Sequence, residues 1–154
     1  MEPSAKTRID FATAEDLPAL ADLLHELFTL ESDFVPERDR QLAGLRLILE
    51  HPELGRLFVA LVEGRVAGMA NALITVSTAE GGRVLLLEDV IVAAPYRALG
   101  LGRRLVEHAL AWAAGEGMTR VTLLADQANQ PALDFYARLG FQPSAMRVLR
   151  RRLD

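Results

Sequence analysis

The stretch that decides the fold runs from Glu88 to Gly102 and reads EDVIVAAPYRALGLG. It continues an apolar run that begins at Val84, which predicts a buried strand in the interior of a sheet. Pro95 lacks a backbone N–H, so regular strand pairing is expected to end there. Gly100 and Gly102 then begin a segment whose apolar residues recur at helical spacing. The stretch therefore predicts a strand, a glycine turn and the N-terminus of a helix.

A helix N-terminus that follows glycines can bind an anion. Its first N–H groups have no partner inside the helix, and the helix dipole favours negative charge. Arg97 and Arg103 flank the turn and can add charge-assisted hydrogen bonds. Two common phosphate loops do not fit, because Arg103 stands where a Walker A loop needs lysine and Leu105 where the dinucleotide fingerprint needs a third glycine. A phosphate site of another kind and a tight turn without a ligand both stay open.

Two motifs in this chain resemble those of one enzyme family. The pattern V-x-x-P-x-R-x-x-G-x-G from Val92 to Gly102 resembles the acetyl-CoA-binding motif of the GNAT superfamily of N-acetyltransferases. The run NQPALDFYARLGF from Asn129 to Phe141 resembles the motif that follows it in that family. The resemblance covers the C-terminal half of the chain. It implies a mixed α/β (α+β) fold, in which antiparallel N-terminal strands join a parallel central pair, splayed at the acetyl-CoA cleft, with about four flanking helices.

The resemblance also implies an acetyl-CoA site made largely of main chain. Amides from Leu99 to Arg103 would bind the pyrophosphate, and a bulge in the strand would open a gap for the pantetheine arm. Asn129 would orient that arm, and Arg138 would approach the phosphates. The implied cofactor-binding residues are Val90, Ile91, Val92, Arg97, Ala98, Leu99, Gly100, Leu101, Gly102, Arg103, Asn129, Tyr136 and Arg138.

Two carboxylates, Glu88 and Asp89, interrupt the apolar strand. A carboxylate is costly to bury unless it is paired, hydrated or useful, so the pair is either a strand end that faces water or the source of a general base. Side chains alternate along a strand, which predicts that the two face opposite ways. By analogy with GNAT members that carry Glu-Asp here, Glu88 is assigned as the base and Asp89 as structural, with Asp89 itself or a water chain as the alternatives.

Tyr136 has two interpretations of its own. As a core aromatic it would bury its ring and pair its hydroxyl. Its match to the family tyrosine implies instead that the phenol donates a proton to the CoA thiolate. The resemblance therefore makes Glu88 and Tyr136 the catalytic residues.

Composition bounds the class of protein. The chain has 154 residues, no cysteine, 51% hydrophobic residues and a net charge of −4. These values predict one domain over residues 1–154, without disulfides and in the cytoplasm, and they argue against a nucleic-acid binder. No apolar run approaches the roughly 20 residues that a membrane helix needs, and residues 1–5 lack signal-peptide character. His108 stands without neighbouring ligands, so no metal site is predicted.

The remaining segments predict the elements that carry these motifs. Alternation over Thr7–Phe11 predicts an edge strand, and Leu57–Val62 with Val66–Val76 predicts a hairpin in which Gly68 marks a bulge. Two helices are predicted between the edge strand and the hairpin. Glu26, on the first of them, belongs either to a solvated face or to the edge of a substrate mouth.

The predicted function is transfer of an acetyl group from acetyl-CoA to a primary amine by direct attack, with no metal. The sequence does not say whether the acceptor is a small-molecule or a protein amine, or whether other acyl groups are used. A catalytically silent acyl-CoA-binding or regulatory module and a protein that binds another nucleotide are the alternatives. A last strand predicted around Met146–Leu149 gives an ending shorter than is common in the family, which predicts a homodimer.

Overall fold

The computed structural model describes residues 6–30 and 36–154. The chain divides into two compact units, residues 1–124 and residues 125–154. The single domain predicted over the whole chain stays a prediction. The elements of the first unit are β1 (Thr7–Phe11), α1 (Leu17–Leu30), α2 (Arg38–Glu50), β2 (Gly55–Val62), β3 (Arg65–Ser77), β4 (Gly82–Val92), α3 (Leu101–Gly115) and β5 (Val121–Leu123). The second unit contains α4 (Gln130–Arg138).

The strands form one mixed sheet in the order β1-β2-β3-β4-β5. The first four strands pair with their neighbours in antiparallel fashion, whereas β4 and β5 are parallel. The parallel pairing covers three residue pairs, from Leu85 with Val121 to Leu87 with Leu123. This arrangement, with four α-helices in the described residues, confirms the predicted mixed α/β fold.

Helices cover both faces of this sheet. Val59 of β2 lies in one buried cluster with Leu24 of α1 and Leu45 of α2. Its neighbour Phe58 contacts Trp112 of α3, with ring centroids 5.7 Å apart. Since consecutive strand residues point to opposite faces, α1 and α2 lie on one face of the sheet and α3 on the other.

Gly68 allows β3, β4 and α3 to approach one another closely. The register between β2 and β3 shifts at Ala60 and Leu61, which confirms the bulge predicted at Gly68. A Cβ atom at Gly68 would lie 2.9 Å from the carbonyl oxygen of Ile91 and 3.2 Å from Cδ1 of Leu105. The first of these distances is too short for any side chain, so glycine is required at this crossing.

The expectation of a last strand was wrong. The strand predicted around Met146–Leu149 is irregular chain, and residues 125–154 contain no strand with which it could pair. Met146 and Leu149 are 86% and 92% exposed, so the apolar side chains of this segment do not pack against the described part of the chain. β5 ends at Leu123, where its pairing with β4 also ends.

Candidate functional site

A bulge interrupts β4 at the carboxylate pair. Asn71 of β3 pairs with Glu88, and the next matched pair is Met69 with Ile91, so β4 has one residue more than β3 between these points. Asp89 adopts a left-handed backbone with φ of 52°. Such bulges turn a strand and redirect its side chains. The simple alternation predicted for Glu88 and Asp89 therefore does not apply at this point.

Asp89 is held by an amide from the neighbouring strand. The Nδ2 of Asn71 donates a hydrogen bond of 3.0 Å to the Asp89 carboxylate. Burial raises the pKa of the Asp89 carboxyl above its ordinary value of 3.8, and the hydrogen bond from Asn71 opposes that shift. Asn71 itself is only 5% exposed, and its Oδ1 has no hydrogen-bond partner in the described part of the chain.

Past the bulge, the main chain of β4 continues without β5. The parallel pairing stops at Leu87, whereas β4 extends to Val92. Val90, Ile91 and Val92 therefore belong to a segment that pairs with β3 alone among the described strands. A strand whose second edge is unpaired can offer N–H and C=O groups to an extended ligand.

The turn into α3 has an unusual backbone. Ala98 and Gly100 both have positive φ, of 67° and 77°, and Gly100 is the N-cap residue of α3. Within the described residues, the backbone N–H groups of residues 98–103 donate no hydrogen bond. The first donor is the N–H of Arg104, which reaches the Gly100 carbonyl oxygen at 3.1 Å. Six neighbouring donors at a helix N-terminus form a site for an anion.

The backbone at Gly100 is not crowded by neighbouring atoms. A Cβ atom built on Gly100 would have no neighbouring atom within 4 Å. Side-chain charge at the turn is largely paired within the protein. Arg97 forms an ion pair with Glu26 of α1, and Arg103 donates to Glu107 at 2.8 Å, which raises the pKa of Arg103. The main-chain donors are thus the free part of the site.

The second unit contains Asn129, Tyr136 and Arg138. The Oδ1 of Asn129 accepts a hydrogen bond of 3.2 Å from the N–H of Ala132, which confirms the predicted cap of α4. Burial raises the pKa of Tyr136 to about 12, so its phenol keeps its proton at neutral pH. The Tyr136 ring packs edge-on against Phe141, with centroids 5.7 Å apart. Arg138 lies in the last turn of α4 and is exposed.

Three features of the site were missed in the sequence. Asn71 is the one strongly polar residue between Val66 and Leu73, and this interruption of an apolar strand was the available signal. The sequence allows two interpretations of Glu26, a solvated face or the edge of a substrate mouth. Its ion pair with Arg97 depends on the tertiary fold. The left-handed backbone of Ala98 has no signal in the residue type, because alanine rarely adopts it.

Residues 6–30 and 36–154 contain neither a cluster of metal-ligating side chains nor a helix suited to cross a membrane. No three histidine, aspartate or glutamate side chains in these ranges stand close enough to hold a metal ion. None of the helices described there is long and apolar enough to cross a membrane.

An unpaired strand segment, followed by a helix N-terminus with free N–H groups, defines an α/β protein with a candidate site for an anion. Residues 17–141 match the sequence profile of the Acetyltransferase (GNAT) family, and the chain belongs to that family. The match begins at the first residue of α1 and ends at Phe141, three residues after α4, and so includes both motifs.

Individual relatives agree with this membership. The chain is 37% identical over 87 residues to streptothricin acetyltransferase of Streptomyces lavendulae, which is 56% of this chain and 44% of that protein. It is 32% identical over 88 residues to glucosamine 6-phosphate N-acetyltransferase of Trypanosoma brucei brucei, which is 56% of this chain and 58% of that protein. The chain thus spans about half the length of these relatives. A solved aminoglycoside N-acetyltransferase in complex with CoA shares the fold, with a TM-score of 0.82, 20% identity and coverage of 98% of this chain and 97% of that one.

Proposed function

We propose that this protein transfers an acetyl group from acetyl-CoA to a primary amine. The observation that carries the proposal is the set of free N–H groups of residues 98–103, at the helix N-terminus of a GNAT family member. These donors would bind the diphosphate of CoA, because main-chain N–H groups and the helix dipole both favour negative charge. Arg138 would add a contact to the phosphates.

The pantetheine arm would lie along the part of β4 that has lost its parallel partner. Val90, Ile91 and Val92 supply main-chain groups there, so their side chains need no special chemistry. The bulge at Asp89 supports this proposal, since it ends the regular course of β4 at the start of that segment. Asn129 would orient the arm through its Nδ2, because its Oδ1 already accepts the capping hydrogen bond of α4.

The chemistry proposed is one direct displacement. Glu88 accepts a proton from the ammonium of the acceptor, and the freed nitrogen lone pair attacks the acetyl carbonyl carbon. A C–N bond forms, the C–S bond breaks, and the electron pair leaves on sulfur. Tyr136 donates its phenolic proton to that thiolate, and the phenolate regains a proton, through solvent, from the acylated nitrogen, which carries one proton more than the amide product. Burial raises the pKa of Tyr136 to about 12, which keeps the phenol protonated but makes it a weaker acid than free tyrosine, so the family match of this segment, and not the pKa, supports the role. No cysteine is available for a covalent intermediate.

We further propose a small-molecule acceptor, a cytoplasmic location, a homodimer and a reaction without metal. The acceptor class is supported by the relatives, which are named for streptothricin and glucosamine 6-phosphate. The absence of cysteine is typical of a reducing compartment. The exposed apolar side chains of the C-terminal segment, at Met146, Leu149 and Leu153, support a surface that a second copy covers.

The test is a thiol-release assay with acetyl-CoA and a panel of primary amines, combined with calorimetry of CoA binding. We expect one CoA bound per chain, no competition by ATP or NAD, and thiol release that depends on the amine. Binding of CoA without thiol release for any amine would favour the silent acyl-CoA-binding module. Failure of CoA to bind at all would exclude both proposals.

A further inference from the structure

Three unfavourable features meet at Asp89. Its backbone is left-handed, in a bulge position where glycine is the favoured residue. Its carboxyl group is partly buried between β3 and the bulge, and this burial raises its pKa. Its one hydrogen-bond donor, Asn71, is buried and leaves its own Oδ1 without a partner in the described residues. Strained and unsatisfied groups of this kind concentrate at functional sites.

No positive charge of the described chain offsets this carboxylate. The recorded hydrogen bond of Asp89 is the one from Asn71, and no ion pair to it is found in residues 6–30 and 36–154. The arginines that follow β4 are engaged elsewhere. Arg97 pairs with Glu26, Arg103 pairs with Glu107, and Arg104 donates to the hydroxyl of Thr7. A buried carboxylate without a counter-ion is a natural site for a cation from outside the protein.

We propose that Asp89 and Asn71 bind a second positive charge on the acceptor, which makes the acceptor a diamine or a larger polycationic amine. The inference rests on the acetyl transfer proposed above and names the class of its acceptor. Glu88 would take the proton from the attacking nitrogen, so the neighbouring carboxylate remains for another ammonium. Glu88 and Asp89 are consecutive residues at the β4 bulge, where the strand's regular alternation is broken, so both carboxylates can serve two amines joined by a short chain.

The Asn71 carboxamide explains how the cation would be held. Its Nδ2 already orients the Asp89 carboxylate, and its Oδ1 is an acceptor that lacks a donor. A bound ammonium has three N–H groups, so it can donate to the carboxylate and to Oδ1 together. The nearby positive charge would also lower the raised pKa of Asp89 and so stabilise its ionised form. Asn71 therefore both orients the Asp89 carboxylate and accepts a hydrogen bond from the cation itself.

The experiment compares two acceptors of equal length, putrescine and aminobutanol, in which a hydroxyl replaces the second amine. We expect the wild-type protein to have a kcat/KM for putrescine about tenfold or more above that for aminobutanol, mainly through KM. Asp89→Asn should abolish most of this preference, because asparagine tolerates the left-handed backbone and removes only the charge. Asp10→Asn, which removes an exposed carboxylate of β1, should leave the preference unchanged.

A binding measurement separates this inference from the proposed function. At constant ionic strength, putrescine should raise the Tm of the wild-type protein and of Asp10→Asn but not that of Asp89→Asn. If both amines are acetylated equally well by the wild-type protein, acetyl transfer stands and the cation subsite is wrong. If neither amine releases thiol but putrescine still stabilises the wild-type protein selectively, the subsite stands and the transfer is wrong. Equal Tm shifts in all three proteins would overturn the subsite.

Discussion

Glu26 of α1 and Arg97, which follows β4, form an ion pair, and the Nε of this arginine donates to the Val92 carbonyl oxygen at 3.0 Å. The two charged side chains are 36% and 50% exposed, so the pair contributes at most about 1 kcal/mol to stability. Its electrostatic effect is more specific. The carboxylate neutralises the one guanidinium that directly precedes the free N–H groups of residues 98–103.

Glu26→Gln is therefore expected to strengthen CoA binding, by about two- to threefold at low salt, because the freed positive charge attracts phosphate. Calorimetry at low and high salt measures this, and the gain should disappear at high salt. Asp22→Asn is the matched control, since it breaks another exposed ion pair of α1, with Arg38 at 2.6 Å, away from the turn. Weaker binding in Glu26→Gln would mean that the pair holds Arg97 in its binding orientation.

Gly100→Ala should destabilise the protein by roughly 1 kcal/mol, the usual cost of a left-handed backbone for a residue with a Cβ atom. It should also weaken CoA binding, since the turn would relax and misdirect its N–H groups. Gly44→Ala is the control: an added Cβ is unhindered at both sites, but Gly44 lies within α2 and lacks a positive φ. That substitution should stabilise the helix by about 0.5–1 kcal/mol. Chemical denaturation measures both effects, and equal changes would contradict the assignment to backbone strain.

The sequence predicted most of the fold because local patterns carry it. Alternation set β1 at Thr7–Phe11, as the structure has it, and glycine marked the bulge at Gly68. The strand predicted at Met146–Leu149 did not form because a strand needs a partner, and an apolar segment does not by itself show whether one exists. The apolar side chains of that segment are exposed, so no burial fixes its backbone as a strand.

The candidate site was predicted less evenly. The glycine turn and the cap at Asn129 follow from residue type, so the sequence contains them. The contacts of Asn71 with Asp89 and of Glu26 with Arg97 join residues 18 and 71 positions apart. Only the folded sheet and the packing of α1 bring those side chains together, and no local spacing encodes that result.

Gln41→Met is expected to stabilise the protein by about 1–3 kcal/mol, the cost of leaving a buried polar group unsatisfied. Gln41 of α2 is 6% exposed, and neither its Oε1 nor its Nε2 has a partner in the described residues. Methionine has a similar length and no such groups. Thermal and urea denaturation measure the change, with Gln41→Glu as the opposite control, because it buries a charge and should destabilise. A destabilising Gln41→Met would show that the amide has a partner in solution.

Asp89→Asn should change how stability depends on pH. Burial raises the folded-state pKa of Asp89 above 3.8, so the folded state holds this proton more tightly than the unfolded state. The stabilisation that comes from this tighter proton binding is complete at pH values below the ordinary pKa of 3.8. It is lost as the pH rises through the folded-state pKa. The variant lacks this loss. Its free energy of unfolding should therefore rise relative to that of the wild-type protein as pH increases, and the variant should be the more stable of the two at pH 7. Urea denaturation across this pH range measures the difference, with Asp10→Asn as control, and a variant less stable at neutral pH would contradict it.

Tyr136→Phe should lower kcat by about a hundredfold at neutral pH, the usual scale for losing a general acid, while CoA affinity stays within about twofold. The folded-state pKa of about 12 exceeds the ordinary value of 10, so the stability that this phenol provides is present below pH 10 and lost as pH rises through 12. Phenylalanine should remove that alkaline loss as well. Tyr96→Phe changes the other tyrosine of the chain and is the matched control, with no expected change in kcat. Thiol release, CoA calorimetry and alkaline denaturation on both variants measure the three effects. If Tyr136→Phe kept the full kcat while still binding CoA, solvent and not Tyr136 would be the proton donor to the CoA thiolate. Tyr136 would then be a packing residue of α4.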